Sequence, residues 1–184
     1  MSESHSTEQA TEPMVLFDSL FASHHKAIIR YCIRRLGPSE AEDAAADVFA
    51  VAWRRLDEVP TGESARAWLI GVAYKVVGNR YRARRRTARL RERLRFESLE
   101  PTPTEPDFEL QQVHRALEEL SSADRELIRL VSWDGLSRSE IAQVLGIRVN
   151  TVDQRLHRAR GRLKTHFDRL LVKATPPRPK EASL

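Results

Sequence analysis

A single cysteine, Cys32, stands among 184 residues. One thiol cannot close an intramolecular disulfide or build a cysteine-based zinc site, and it fits a reducing compartment. Breakers are scarce as well, with 7 glycines and 9 prolines. Most of the prolines fall in two clusters: Pro101, Pro103 and Pro106, then Pro176, Pro177 and Pro179. Long stretches therefore run without interruption, and few alternate with the period of two that a half-buried strand needs. The fold class they predict is all-α. No apolar run approaches the roughly 20 residues needed to cross a bilayer. The opening MSESHSTEQATEP lacks both the basic residues and the apolar core of a secretory signal. The expectation is a cytoplasmic protein without membrane insertion.

Charge is plentiful but unevenly placed. Lys and Arg number 31 against 26 Asp and Glu, a formal excess of +5. Between Arg80 and Arg95 stand nine arginines and one acid, Glu92. Between Glu40 and Asp47 the charged residues are Glu40, Glu42, Asp43 and Asp47, with no base. A single charge run is as readily a solvated helix face as a binding surface. Nine arginines in so short a stretch favour a surface that meets phosphates, and the acidic run suggests a second, different partner.

The chain divides by composition. Residues 1–13 are polar and read as disordered. Residues 14–95 form a first helical block. The stretch 96–107, FESLEPTPTEPD, is acidic and proline-rich and reads as a flexible linker. A second helical block covers 108–171, and the polar tail 172–184 reads as disordered. The expectation is two small helical domains on a tether.

The second block carries the sharper motif. Asp134-Gly135 signals a turn, and Ser137 with Glu140 three residues later has the spacing of a capping box. Ile141, Val144 and Leu145 supply a buried stripe, and Gly146 falls where a helix-ending residue needs positive φ. A second helix starts near Val149 or Asn150, with Val149, Val152, Leu156, Ala159 and Leu163 on its buried face. At about 100° per residue, Asn150, Gln154, His157, Arg158 and Gly161 lie opposite, and Asp153 and Lys164 flank them. This is a helix-turn-helix whose second helix suits a major groove, where Gln matches an adenine edge and Arg a guanine edge. An ordinary helical hairpin with a solvated face is the bland alternative. Ahead lie two further helices, about 109–120 and 123–133, the latter with Ser122 as its cap.

From these residues a family resemblance emerges. Gly146 to Arg160, in the pattern G-x-x-x-x-T-V-x-x-R-L-H-R-A-R, resembles region four of the extracytoplasmic-function sigma factors, sigma-70-type promoter-specificity subunits of bacterial RNA polymerase. Ala41 to Trp53, AEDAAADVFAVAW, is similar to region 2.2 of the same family, although Ala46 stands where the family has Gln. The run R-A-W-L-x-x-V-A-x-x-x-x-x-N-R-x-R-x-R-R-R, Arg66 to Arg86, resembles regions 2.3 and 2.4.

The resemblance implies core RNA polymerase and promoter DNA as partners. Glu40, Asp43 and Asp47 would meet the clamp helices of the largest subunit, and the second block the beta flap. Gly62, Glu63 and Ser64 would lie in a loop that captures a flipped minus-ten base, and Ser64 is placed to cap the next helix. Lys75 and Asn79 would read minus-ten bases, with Arg80, Arg82, Arg84, Arg85 and Arg86 on phosphates. Arg148, Asn150, Thr151, Asp153, Gln154, Arg155, His157 and Arg158 would face the minus-thirty-five element. Asp153 stands where the family commonly has a base. An anti-sigma factor that blocks these surfaces is a further implied partner, and a monomer outside holoenzyme the implied state.

Two other classes stay in view. A helix-turn-helix regulator that works without polymerase would account for the second block but leave Asp43, Asp47 and the arginine strip idle. An enzyme would need a nucleophile elbow, a phosphate loop or a metal box, and no spacing suggests one. No catalytic residue, metal ligand or cofactor is therefore assigned. His24, His25, His114 and His166 read as surface or core residues.

Overall fold

The breaker-free stretches form helices throughout a computed structural model that describes residues 4–93, 113 and 115–174, with side chains from 12–87, 113 and 115–170. There are no strands among the described residues. The chain separates into two compact units, one built chiefly from the helices before the linker and one chiefly from those after it. The linker residues 96–107 and the tail beyond 174 lie outside the described residues.

Three long helices make the first unit: α1 (Ser4–Leu36), α2 (Pro38–Arg54) and α3 (Ser64–Arg93), each packed on the other two. A single residue, Gly37, joins α1 to α2. Its φ of 84° is one that only glycine adopts cheaply, its amide donates to the Ile33 carbonyl at 2.9 Å, and Pro38 then enters α2 where a missing N–H costs nothing. Helix α2 buries Ala41, Ala44, Ala45 and Ala52 beside Val48 and Phe49. Side chains this small let α1 and α3 come close, and alanine is the best helix former. Into that interface project Ile28, Tyr31 and Cys32 from α1 and Leu69, Ile70, Ala73 and Val77 from α3, all nearly or fully buried.

Some expectations shift here. Helix α1 already includes residues 4–13, read from their polarity as disordered, and it carries Pro13 in its interior. Helix α3 runs through the whole arginine-rich stretch to Arg93, because no Gly or Pro after Gly78 breaks it. Trp53, the end of the run that resembles region 2.2, is half exposed and packs edge-on against Phe17 with centroids 5.1 Å apart.

In the second unit, residues 115–118 are helical, followed by α4 (Ser122–Ser132), α5 (Arg138–Leu145) and α6 (Val149–Ala174). The cap of α4 is Ser121 rather than Ser122: the Ser121 hydroxyl accepts from the Asp124 amide at 3.1 Å. Ser121 is the residue with extended backbone, which a capping residue requires. Leu117, Leu120, Leu127, Ile128, Leu130, Ile141, Val152, Leu156 and Ala159 form the core. Val149, expected inward, is 44% exposed, since the first turn of α6 projects beyond that core.

Candidate nucleic-acid interface

The helix-turn-helix is built by local chemistry. The Ser137 amide donates to the Glu140 carboxylate at 2.7 Å, and the Ser137 hydroxyl accepts from the Glu140 amide at 3.3 Å, completing the capping box. At the other end of α5, Gly146 has φ 64°. Its amide donates to the Gln143 carbonyl at 3.3 Å, and the Ile147 amide to the Ala142 carbonyl at 3.0 Å. That bond pair is a Schellman ending, and it sets the angle at which the chain enters α6.

Helix α6 buries Val152, Leu156 and Ala159 and exposes Asn150, Asp153, Gln154, Arg155, His157 and Arg158; Arg148 just ahead is also exposed, and Thr151 is half-buried. Arg158 donates back to the Gln154 carbonyl at 3.3 Å. Asp153 is ion-paired: its carboxylate accepts from the Arg138 Nε of α5 at 2.5 Å. Arg138 carries no signal at the sequence level, since its partner is on the next helix.

The first unit holds the other two candidate groups on neighbouring helices. Glu40, Asp43 and Asp47 lie on α2, with Asp43 and Asp47 exposed and Glu40 partly so. Like charges at i, i+4 repel by about 0.2–0.5 kcal/mol on an isolated helix, and the fold answers this internally. Arg80 on α3 donates to Asp47 at 2.5 Å, and Arg84 Nε donates to Glu40 at 3.0 Å. No described residue holds Asp43. Two acids expected to face a protein partner are thus paired with two arginines expected to face phosphates.

The rest of the basic segment divides by task. Arg84 also donates to the Leu36 carbonyl at 3.3 Å, and the Tyr81 hydroxyl donates to the Arg35 carbonyl. Both satisfy carbonyls at the C-terminal end of α1, where a cation is favoured. Tyr81 gives no sequence signal of an anchor, because its partner lies 46 residues away. Arg82 donates to the Asn79 side chain. Arg85 and Arg86 are exposed, and no described residue holds them. Lys75 and Asn79 are exposed on the same helix, and a Cβ at Gly78 would meet nothing within 4 Å.

Gly62 and Glu63, between α2 and α3, and Ser64, which opens α3, are all exposed. Gly62 has φ 65° and its carbonyl accepts from Ala65 at 3.2 Å, while Ser64 is the first residue of α3 rather than a cap ahead of it. Of the histidines, His25 stacks on Phe21 at 4.5 Å and His24 is partly buried, whereas His114 lies outside the described residues. Among the described residues no cluster of His, Cys, Asp and Glu has the geometry of a metal site, and no helix is long and apolar enough to cross a membrane.

A helix-turn-helix with a polar outer face in the second unit, together with an arginine-rich helix in the first, is the arrangement of a DNA-binding protein. Comparison with known proteins gives the family. Residues 20–87 match the model of sigma-70 region 2, and residues 110–163 that of sigma-70 region 4. The chain is 31% identical over 166 residues to the RNA polymerase sigma factor CnrH of Cupriavidus metallidurans, covering 83% of this chain and 86% of that one. It is 31% identical over 159 residues to the ECF RNA polymerase sigma factor SigL of Mycobacterium tuberculosis, covering 82% and 88%. Its fold matches the sigma factor RpoE of Bartonella quintana, solved in complex with the anti-sigma factor NepR, with a TM-score of 0.61 at 25% identity over 88% of this chain and 97% of that one. It also matches CnrH in complex with the cytosolic domain of CnrY, with a TM-score of 0.59 at 29% identity over 87% and 89%. The chain belongs to the extracytoplasmic-function sigma factors of the sigma-70 family. It is an alternative sigma factor that directs promoter-specific transcription with RNA polymerase.

Proposed function

We propose that the two units divide promoter recognition between them, the first (14–95) docking on core polymerase and reading the minus-ten element, the second (108–171) reading the minus-thirty-five element. The observation that carries this reading is the charge arrangement of the first unit: an acidic face on α2 beside an arginine-bearing α3, with Asp43, Arg85 and Arg86 held by no described residue. Asp43, with Asp47 and Glu40 beside it, meets a basic surface on the clamp helices of the largest subunit. Arg80, Arg82, Arg84, Arg85 and Arg86 track phosphates of the opened strand, while Lys75 and Asn79 contact its bases. The Gly62–Glu63–Ser64 loop takes up an unstacked base, whose extrusion costs only a few kcal/mol. Asn150, Gln154, His157 and Arg158 enter the upstream major groove, with Arg148, Thr151 and Arg155 on its phosphates. The second unit also contacts the beta flap.

The protein works in the cytoplasm, needs no cofactor and performs no bond chemistry; RNA synthesis belongs to the polymerase. RpoE is solved in complex with the anti-sigma factor NepR, and CnrH with the cytosolic domain of CnrY; for this chain, an anti-sigma factor covers these faces when the protein is silent.

In vitro transcription with sigma-free core polymerase and a promoter library tests the reading. Initiation at promoters sharing an upstream and a minus-ten motif is the expected result. Tight duplex binding by the protein alone, with no initiation, contradicts it. Asp43→Arg is the cleaner docking variant, because Asp47→Arg also removes the partner of Arg80. Loss of holoenzyme in a pull-down, with upstream duplex binding intact, is expected of both; retained holoenzyme with Asp43→Arg removes the docking assignment.

A further inference from the structure

We propose that Arg138 and Asp153 act as one specificity unit: Arg138 positions the Asp153 carboxylate to accept a hydrogen bond from a cytosine amino group in the upstream major groove. The inference deepens the upstream recognition proposed for α6 and rests on it. Asp153 is the only acid in the first three turns of α6, and it flanks the outer face formed by Asn150, Gln154 and His157. A bare carboxylate there would be pushed away by phosphates. The ion pair with Arg138 offsets that charge and biases the side chain toward one orientation before DNA arrives, with Nε 2.5 Å from Oδ1.

What the pair leaves open is as informative. Both side chains stay about half exposed, 51% for Arg138 and 48% for Asp153. The second carboxylate oxygen and the terminal guanidinium nitrogens have no partner among the described residues. An ionised carboxylate only accepts, and in the major groove the donor that Asp pairs with is the cytosine N4 amino group. The remaining Arg138 donors suit the adjacent phosphate. Arg138 is therefore a positioning residue, and Asp153 the reader.

Full-length protein, core polymerase and a promoter library randomised across the upstream element test this by transcript sequencing. Wild type should favour cytosine at one upstream position. Asp153→Ala should lose that preference by about 5- to 100-fold while other positions keep theirs. Asp153→Asn, which keeps the shape, should move the preference toward adenine, the base that Asn bonds in a bidentate way. Arg138→Ala should weaken the same preference, and the double variant should lose no more of it than Asp153→Ala alone. An unchanged base profile in Asp153→Ala, or a gain in output equal for all sequences, overturns the proposal; the latter would make the carboxylate a mere repeller of phosphates. A wild type that initiates with no upstream motif at all overturns the α6 reading, and this proposal with it.

Discussion

Cys32 shows how burial decides chemistry at a single residue. It is fully buried between α1 and its neighbours, and burial pushes its thiol up to about 11 against the pull of Arg35 and Arg80. At pH 8 the thiol is protonated and shielded, so alkylation should be slow in the native protein and fast in denaturant. Mass spectrometry after an iodoacetamide pulse checks this, and rapid native labelling would show that the α1–α2–α3 core opens. His24 is the opposite kind of group. Burial first, then the charge of Arg66, holds its imidazole below the ordinary 6.5. The unfolded chain therefore takes this proton first. Stability should fall as pH drops below 6.5 and level off once the folded imidazole is also protonated. Thermal unfolding across that window, with His24→Gln as reference, should show a shallower decline for the variant.

The turn between α5 and α6 is where an element depends on one backbone conformation. Gly146 has φ 64° and open space around a would-be Cβ, so Gly146→Ala meets no clash and suffers only from the left-handed backbone. The expected loss is about 1–2 kcal/mol, read by denaturant unfolding, with weaker upstream binding because the entry angle of α6 loosens. Helix α3 presents the contrasting case of a helix held by distant partners. Its buried Leu69 anchors the first half, and Leu69→Ala should cost about 2–5 kcal/mol. Its second half is tied to α1 and α2 through Tyr81, Arg80 and Arg84. Exposed ion pairs contribute only about 0–1 kcal/mol each. Their main effect is to orient the arginine strip.

Across the whole molecule, the arginines fall into two groups that mutation can separate. Arg85 and Arg86 are held by no described residue, so reversing them to Glu should leave stability within about 0.5 kcal/mol. The same change should reduce the salt dependence of promoter binding by about one unit for each phosphate these arginines neutralise. Arg84→Glu should do both: weaken promoter binding and lower stability, since it frees a helix-end carbonyl and places a carboxylate against Glu40. Holoenzyme titrations over a salt series, beside thermal scans, distinguish the groups. Equal salt slopes for wild type and the Arg85/Arg86 variant would remove both residues from the DNA path.

Much of this protein was determined within short windows of sequence. The absence of breakers and the spacing of apolar residues set an all-helical chain, and the Ser137–Glu140 box and Gly146 set the helix-turn-helix, because caps and positive-φ turns act over three to five residues. Sequence patterns also named the acidic and basic strips and the family. Which charges meet was decided by the tertiary structure alone. Asp47 finds Arg80 33 residues away, Glu40 finds Arg84 44 away, and Asp153 finds Arg138 15 away, each on another helix. The outward turn of Trp53 and Val149 was likewise a tertiary outcome, since periodicity gives the side of a helix a residue lies on and not where the neighbouring helix ends. Helix formation depends on local energies, whereas side-chain pairing depends on helix crossings that no short window contains.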